Sequence, residues 1–142
     1  MTGLRILQFA ALTAVLLHAS VSDIRRHEVD DWVWIVTALL GLAGLRLTDL
    51  PSMILGTAAI LAIEVPLAVI QKEKAIGGAD IKLSAAAGFL LGIRRGLYAQ
   101  IIGLTLAILL VPVIRKLRHT PKGTAFPLVP FLAAGILTAY FI

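Results

Sequence analysis

Cysteine is absent from the 142-residue chain, and its absence excludes disulfides, thiolate zinc sites and a cysteine nucleophile. Charge is scarce: only 15% of residues are Asp, Glu, Lys or Arg, too few to solvate the surface of an ordinary soluble domain. There are three histidines and no G-x-S-x-G stretch, so serine catalysis lacks its parts. Internal repeats and low-complexity linkers are missing too. What is present is apolar, with 59% hydrophobic residues and a mean hydropathy of +0.96. A single membrane-embedded domain over residues 1–142 is the natural class, its core formed between helices in lipid by close packing of small residues. The net charge of +5 comes from basic residues clustered between apolar runs, without a long basic block. That pattern speaks of topology and of anionic lipid, not of nucleic acid.

The apolar runs predict an all-α, polytopic bundle of six transmembrane helices. Residues 4–22 form the first span. The charged stretch that follows, beginning with Asp23 and Arg25, stands where a signal-peptide cleavage region would be, so the span is read as retained. Trp32 and Trp34 then stand where an interfacial aromatic belt would place them, opening a short second span over 32–45. Pro51 starts a third over 51–70, interrupted by Glu64 and closed by Lys72, Glu73 and Lys74. A short fourth span over 78–93 begins at the G-G-A-D motif, and 96–114 and 124–142 make a fifth and a sixth.

Six spans put the loops alternately on two sides. One side holds Arg25, Arg26, Lys72, Lys74, Lys82, Arg115, Lys116, Arg118 and Lys122; the other holds Arg5, Arg46, Arg94 and Arg95. The positive-inside rule makes the nine-residue side cytoplasmic and leaves both termini outside. Asp23, at the end of the first span, and Asp80, at the start of the fourth, then share the cytoplasmic face of the inner membrane.

Asp80 follows Gly77, Gly78 and Ala79. The two glycines permit the backbone to turn just before a helix, which places Asp80 in its first turn. A carboxylate inside an apolar chain is a functional-site candidate by default. Two carboxylates on different helices at one depth can do acid and base work on a peptide bond, since acids held close share one proton. One takes a proton from water while the other protonates the carbonyl oxygen or the leaving amine. The plainer alternative is that Asp23 only terminates a helix and Asp80 only caps one, both solvated at the interface.

Residues 22–32, S-D-I-R-R-H-E-V-D-D-W, resemble the first aspartate motif of the type IV prepilin peptidases. Residues 77–88, G-G-A-D-I-K-L-S-A-A-A-G, resemble their second, G-x-G-D, and residues 125–135, A-F-P-L-V-P-F-L-A-A-G, resemble the aromatic and proline pattern that closes the family. The resemblance implies a membrane aspartic peptidase with Asp23 and Asp80 as its catalytic dyad and no cofactor. It implies as substrate a pilin-like or archaellin-like precursor, whose short basic leader is removed at the cytoplasmic face. Without cysteines or the insertion that carries them, the chain resembles the short, peptidase-only form. It departs from the pattern at Ala79, where the family has glycine, and at Val29, Asp30 and Asp31, where it has a hydrophobic residue followed by Pro-Asn. Alanine disfavours positive φ, so Ala79 bears on the geometry of the motif.

Other residues have more than one reading. Arg25 and Lys82, each two residues from an aspartate, would hold a carboxylate ionised or bind lipid phosphates. Glu28, Asp30 and Asp31 would attract a basic leader or form a solvated loop. Glu64 would line a cleft, hydrate a cavity or bond within the bundle. His18 lies about 140° around the helix from Asp23 and faces away from the dyad. His27 to Asp31 resembles H-E-x-x-H with an aspartate in the second histidine's place, without a third metal ligand. Asp80, Ser84, Ala87 and Gly88, and likewise Ala99, Gly103 and Ala107, form small-residue stripes for helix packing. Two rival functions remain at this level: a presenilin-like intramembrane protease, and a small ion- or proton-coupled transporter with Asp23, Glu64 and Asp80 as a relay.

Overall fold

Five helices build the chain in the computed structural model, which describes residues 2–71, 77–121 and 126–142. They are α1 (Gly3–Arg26), α2 (Asp31–Ala43), α3 (Leu50–Ile70), α4 (Gly78–Leu117) and α5 (Val129–Phe141). Lys72, Glu73, Lys74 and Lys122, used above for span ends and charge bias, lie outside the described residues, as does Ala125 of the closing motif. The all-helical expectation holds, but six transmembrane helices are not found. Three helices, α1, α3 and α4, are long and apolar enough to cross a membrane. With 13 residues each, α2 and α5 are only about 20 Å long, less than the hydrocarbon thickness.

The expected short fourth helix and separate fifth are the two arms of α4, which meet at a single residue and not across a loop. The element starts at Gly78 as the motif predicts, but no loop forms at Arg94 and Arg95. The backbone leaves helical geometry only at Gly92, with φ 78° and ψ 174°, a conformation essentially reserved for glycine. At that one residue the chain folds back. In a straight helix Gly88 and Gly96 would be about 12 Å apart, yet a Cβ placed on Gly96 would stand 3.1 Å from the Gly88 Cα. The arms 78–91 and 93–117 therefore run antiparallel. The alternation of the expected fourth and fifth spans requires such a reversal; it falls at Gly92, two residues before the expected Arg94 and Arg95.

This bend decides where the ends of the bundle lie. The Tyr140 hydroxyl near the end of α5 is 3.2 Å from the Arg5 carbonyl oxygen at the start of α1, and Phe9 packs against the Tyr140 and Phe141 rings. The start of α1, the Gly92 bend and the end of α5 thus meet at one end. The end of α1 and the starts of α4 and α5 meet at the other.

α4 is the centre, packing against α2, α3 and α5. Small residues let it do so, as the stripes predict. A Cβ on Gly56 of α3 would stand 2.5 Å from the Gly88 carbonyl oxygen, and one on Gly135 of α5 would overlap the Ala99 carbonyl oxygen. Backbones this close gain dispersion contacts along their whole length, the main attraction available between helices in lipid. Leu12, Leu16 and Ala19 of α1, Val33 of α2, Leu83 of α4 and Ile136 of α5 complete one buried apolar cluster.

Candidate functional site

Asp23 is the last buried residue of α1, only 8% exposed. The helix runs on through Arg25 and Arg26 and stops at His27, whose left-handed backbone (φ 52°) returns its N–H to the Asp23 carbonyl at 2.9 Å. The Ser22 hydroxyl donates to the Glu28 carbonyl at 2.8 Å and the Arg26 guanidinium donates to Ser22 Oγ at 2.9 Å, tying the following loop back onto the helix. Asp23 is thus more than a helix terminator. Its Oδ2 accepts the Val129 N–H at 3.0 Å, a buried bond from the first turn of α5. An N-terminal helix turn has free N–H groups and the positive end of the helix dipole, so it suits a carboxylate. Pro127 and Pro130 bracket this turn. Proline is well placed at the start of a helix because its missing N–H has no intrahelical partner there.

Asp80 is the third residue of α4 and is partly buried. Its Oδ2 accepts the N–H of Gly77, the N-cap, at 3.1 Å. The reciprocal arm of a capping box is unavailable, since glycine has no side-chain oxygen. Gly77 has φ −83°, open to any residue. Ala79 lies inside the helix and is not among the positive-φ residues, so alanine introduces no backbone strain at the motif.

Asp80 lies within electrostatic reach of Asp23, and Glu64 within reach of Asp80. The three carboxylates come from α1, α4 and α3. Glu64 is 4% exposed and has the Ser84 side chain, itself fully buried, beside it. Neither Glu64 Oε2 nor the Ser84 hydroxyl closes a hydrogen bond of good geometry. Among the described residues no group of three or more His, Asp or Glu is gathered closely enough to hold a metal ion, and that includes His27 to Asp31.

The residues considered for tuning or for binding surround this end without touching the aspartates. Lys82 pairs with Asp31 at 2.9 Å across α4 and α2. That hydrogen bond, with one from the Trp34 indole N–H, holds the exposed Asp31 carboxyl below the usual carboxylate range. Asp30 is 3.5 Å from Arg26 and 3.6 Å from His18. His18 also stacks obliquely on Trp32 at 5.0 Å, facing away from the dyad as its helical angle predicts. Arg25 and Glu28 are exposed, and among the described residues Arg25 makes no ion pair.

Sequence reasoning did not find the Val129 N–H or the placing of the Ser84 side chain beside Glu64. The A-F-P-L-V-P stretch was the available signal for the first. For the second there was only the helical register of Asp80 and Ser84.

Chemically, two carboxylates within electrostatic reach of one another, each accepting a backbone N–H, can divide proton removal from water and proton donation to a carbonyl. The model of the type IV leader peptidase family matches residues 10–113, a segment that includes Asp23, Glu64 and Asp80 and ends before α5. No curated protein and no solved structure matches the chain.

Proposed function

Because the chain belongs to the type IV leader peptidase family, we propose that it is a membrane aspartic endopeptidase. Its substrate is a pilin-like or archaellin-like precursor, from which it removes the short basic leader at the cytoplasmic face. What supports this reading is that Asp23 and Asp80, on separate helices, stand at the same end of an apolar bundle and within electrostatic reach of one another. One carboxylate takes a proton from water as the water oxygen attacks the scissile carbonyl carbon, and the other protonates the carbonyl oxygen. The resulting diol collapses, the C–N bond breaks and the leaving amine takes up a proton. Asp23 is held by the Val129 N–H and Asp80 by the Gly77 N–H, so each carboxylate has one oxygen anchored to backbone.

The precursor's apolar helix stays in lipid against the bundle while its leader reaches the carboxylates at the boundary. Exposed side chains such as Val21, Ile24 and Val69 near this end offer an apolar flank for it. The test is cleavage in proteoliposomes of a precursor with a basic leader before its apolar helix. A new N-terminus at that junction supports the proposal, and an intact precursor overturns it. The succession Asp23, Asp80 and Glu64 is what favours the rival proton relay; proton flux through proteoliposomes without precursor processing would decide for it.

A further inference from the structure

The end of the bundle away from the carboxylates carries a different chemistry. The start of α1, the end of α2, the connection to α3, the Gly92 bend and the end of α5 enclose a cavity of about 1140 Å³. Four arginines line it, Arg5, Arg46, Arg94 and Arg95, against a single carboxylate, Asp49. Among the described residues none of the four is in a salt bridge. Four like charges against one carboxylate leave an excess that repels itself, and an anion that neutralises it gains from each.

The wall beneath the arginines is fixed. The Tyr140 hydroxyl lies 2.7 Å from Gln8 Oε1, and Gln8 Nε2 donates to the Leu40 carbonyl, joining α5, α1 and α2. Ser52 Oγ accepts the Ile93 N–H at 3.3 Å and so anchors the backbone that presents Arg94 and Arg95. The guanidiniums come from three separate stretches of chain around one space, as multidentate recognition of phosphate oxygens requires.

We propose that this cavity binds the phosphate headgroup of an anionic phospholipid, in the leaflet facing away from Asp23 and Asp80. Arg5 stands two residues into an apolar helix long enough to cross a membrane, so the cavity opens at the height of headgroups. Leu4 and Leu47, 54% and 84% exposed, flank it where acyl chains would lie. A soluble phosphate would satisfy the arginines equally but would leave that apolar flank unused.

The test is retention of lipid by the purified chain after mild delipidation, read by native mass spectrometry with phosphatidylglycerol, phosphatidylcholine or inorganic phosphate added. One phosphatidylglycerol per chain is expected, with weaker retention of phosphatidylcholine. Removing a charge by Arg94→Gln or Arg95→Gln should weaken retention about fivefold each. Lys116→Gln and Arg118→Gln, in the last turn and C-cap of α4, should not change it. Arg5→Gln and Arg46→Gln, on other stretches of chain, repeat the test if a substitution beside the bend prevents folding. Equal retention of phosphatidylcholine, unchanged phosphatidylglycerol binding in all four arginine variants, or displacement of the lipid by millimolar phosphate would each overturn the proposal.

Discussion

Asp23 Oδ2 and the Val129 N–H meet at 3.0 Å although 106 positions separate them in the chain. The bond joins the end of α1 to the start of α5, and so makes the position of a proposed catalytic carboxylate depend on how α5 packs. It gives the closing proline-rich motif a physical task, which is to bring a helix N-terminus to Asp23.

If α5 positions Asp23, then pushing α5 away should disturb both stability and cleavage. Gly135→Ala sets a methyl group against the Ala99 carbonyl and 2.8 Å from the Gly103 nitrogen, backbone atoms that cannot rotate aside. Overpacking of this kind costs about 1–3 kcal/mol. A lower unfolding midpoint in detergent, together with slower precursor cleavage, is expected; an unchanged midpoint would mean that α5 is not packed this tightly.

Gly92→Ala tests the fold-back. The substitution meets a positive φ of 78° and places its methyl 2.7 Å from Ser52 Oγ, and strain at such a backbone position costs about 1–3 kcal/mol. Thermal unfolding should shift down. An unchanged midpoint would mean that the backbone is not held at positive φ at this residue.

Glu64 is the carboxylate whose cost is clearest, because its buried Oε2 closes no hydrogen bond of good geometry, even with the Ser84 hydroxyl beside it. An unsatisfied buried acceptor costs about 1–3 kcal/mol, so Glu64→Met, which keeps the volume and removes the polar oxygens, should raise the unfolding midpoint. A fall would show that the carboxylate is satisfied in the membrane, through water or a proton.

The Asp31 and Lys82 pair has a pH signature of fixed sign. The folded Asp31 carboxyl is held below its ordinary range, by the Lys82 hydrogen bond first. Its contribution is therefore fully present above the unfolded carboxylate value and is lost as pH falls through the folded one. Lys82→Gln should return the Asp31 titration, followed by carboxyl-carbon NMR, toward the ordinary range. Any stability difference from the parent should vanish in acid, and it should be small because both side chains are exposed.

Much of the fold could be read from hydropathy. The expected span over 51–70 is matched by Leu50–Ile70, and the start at Gly78 is correct. The errors have one physical origin, which is that charge and helix termination were treated as the same event. At α1 the chain stays helical through Arg25 and Arg26, because long basic side chains reach polar surroundings without breaking a helix. At Arg94 and Arg95 charge suggested the turn between two spans, whereas the reversal stands at Gly92 and both arginines lie within the returning helical arm. For the proposed site, topology and motif resemblance singled out Asp23 and Asp80, which the fold puts at one end of the bundle. The donor at Val129 depends on tertiary packing between the two ends of the sequence, which no local pattern encodes.

The central claim is that Asp23 and Asp80 act together on a water molecule, and paired amide substitutions test it most directly. Asp23→Asn and Asp80→Asn each retain a side-chain oxygen able to accept the bond from Val129 or Gly77 but cannot exchange a proton as a carboxyl does. Precursor cleavage should be measured for both variants and the parent, in the same lipid and at equal helical content by circular dichroism. Loss of cleavage in each variant separately, with the bundle intact, is the predicted result; cleavage at the parent rate in either would contradict the account.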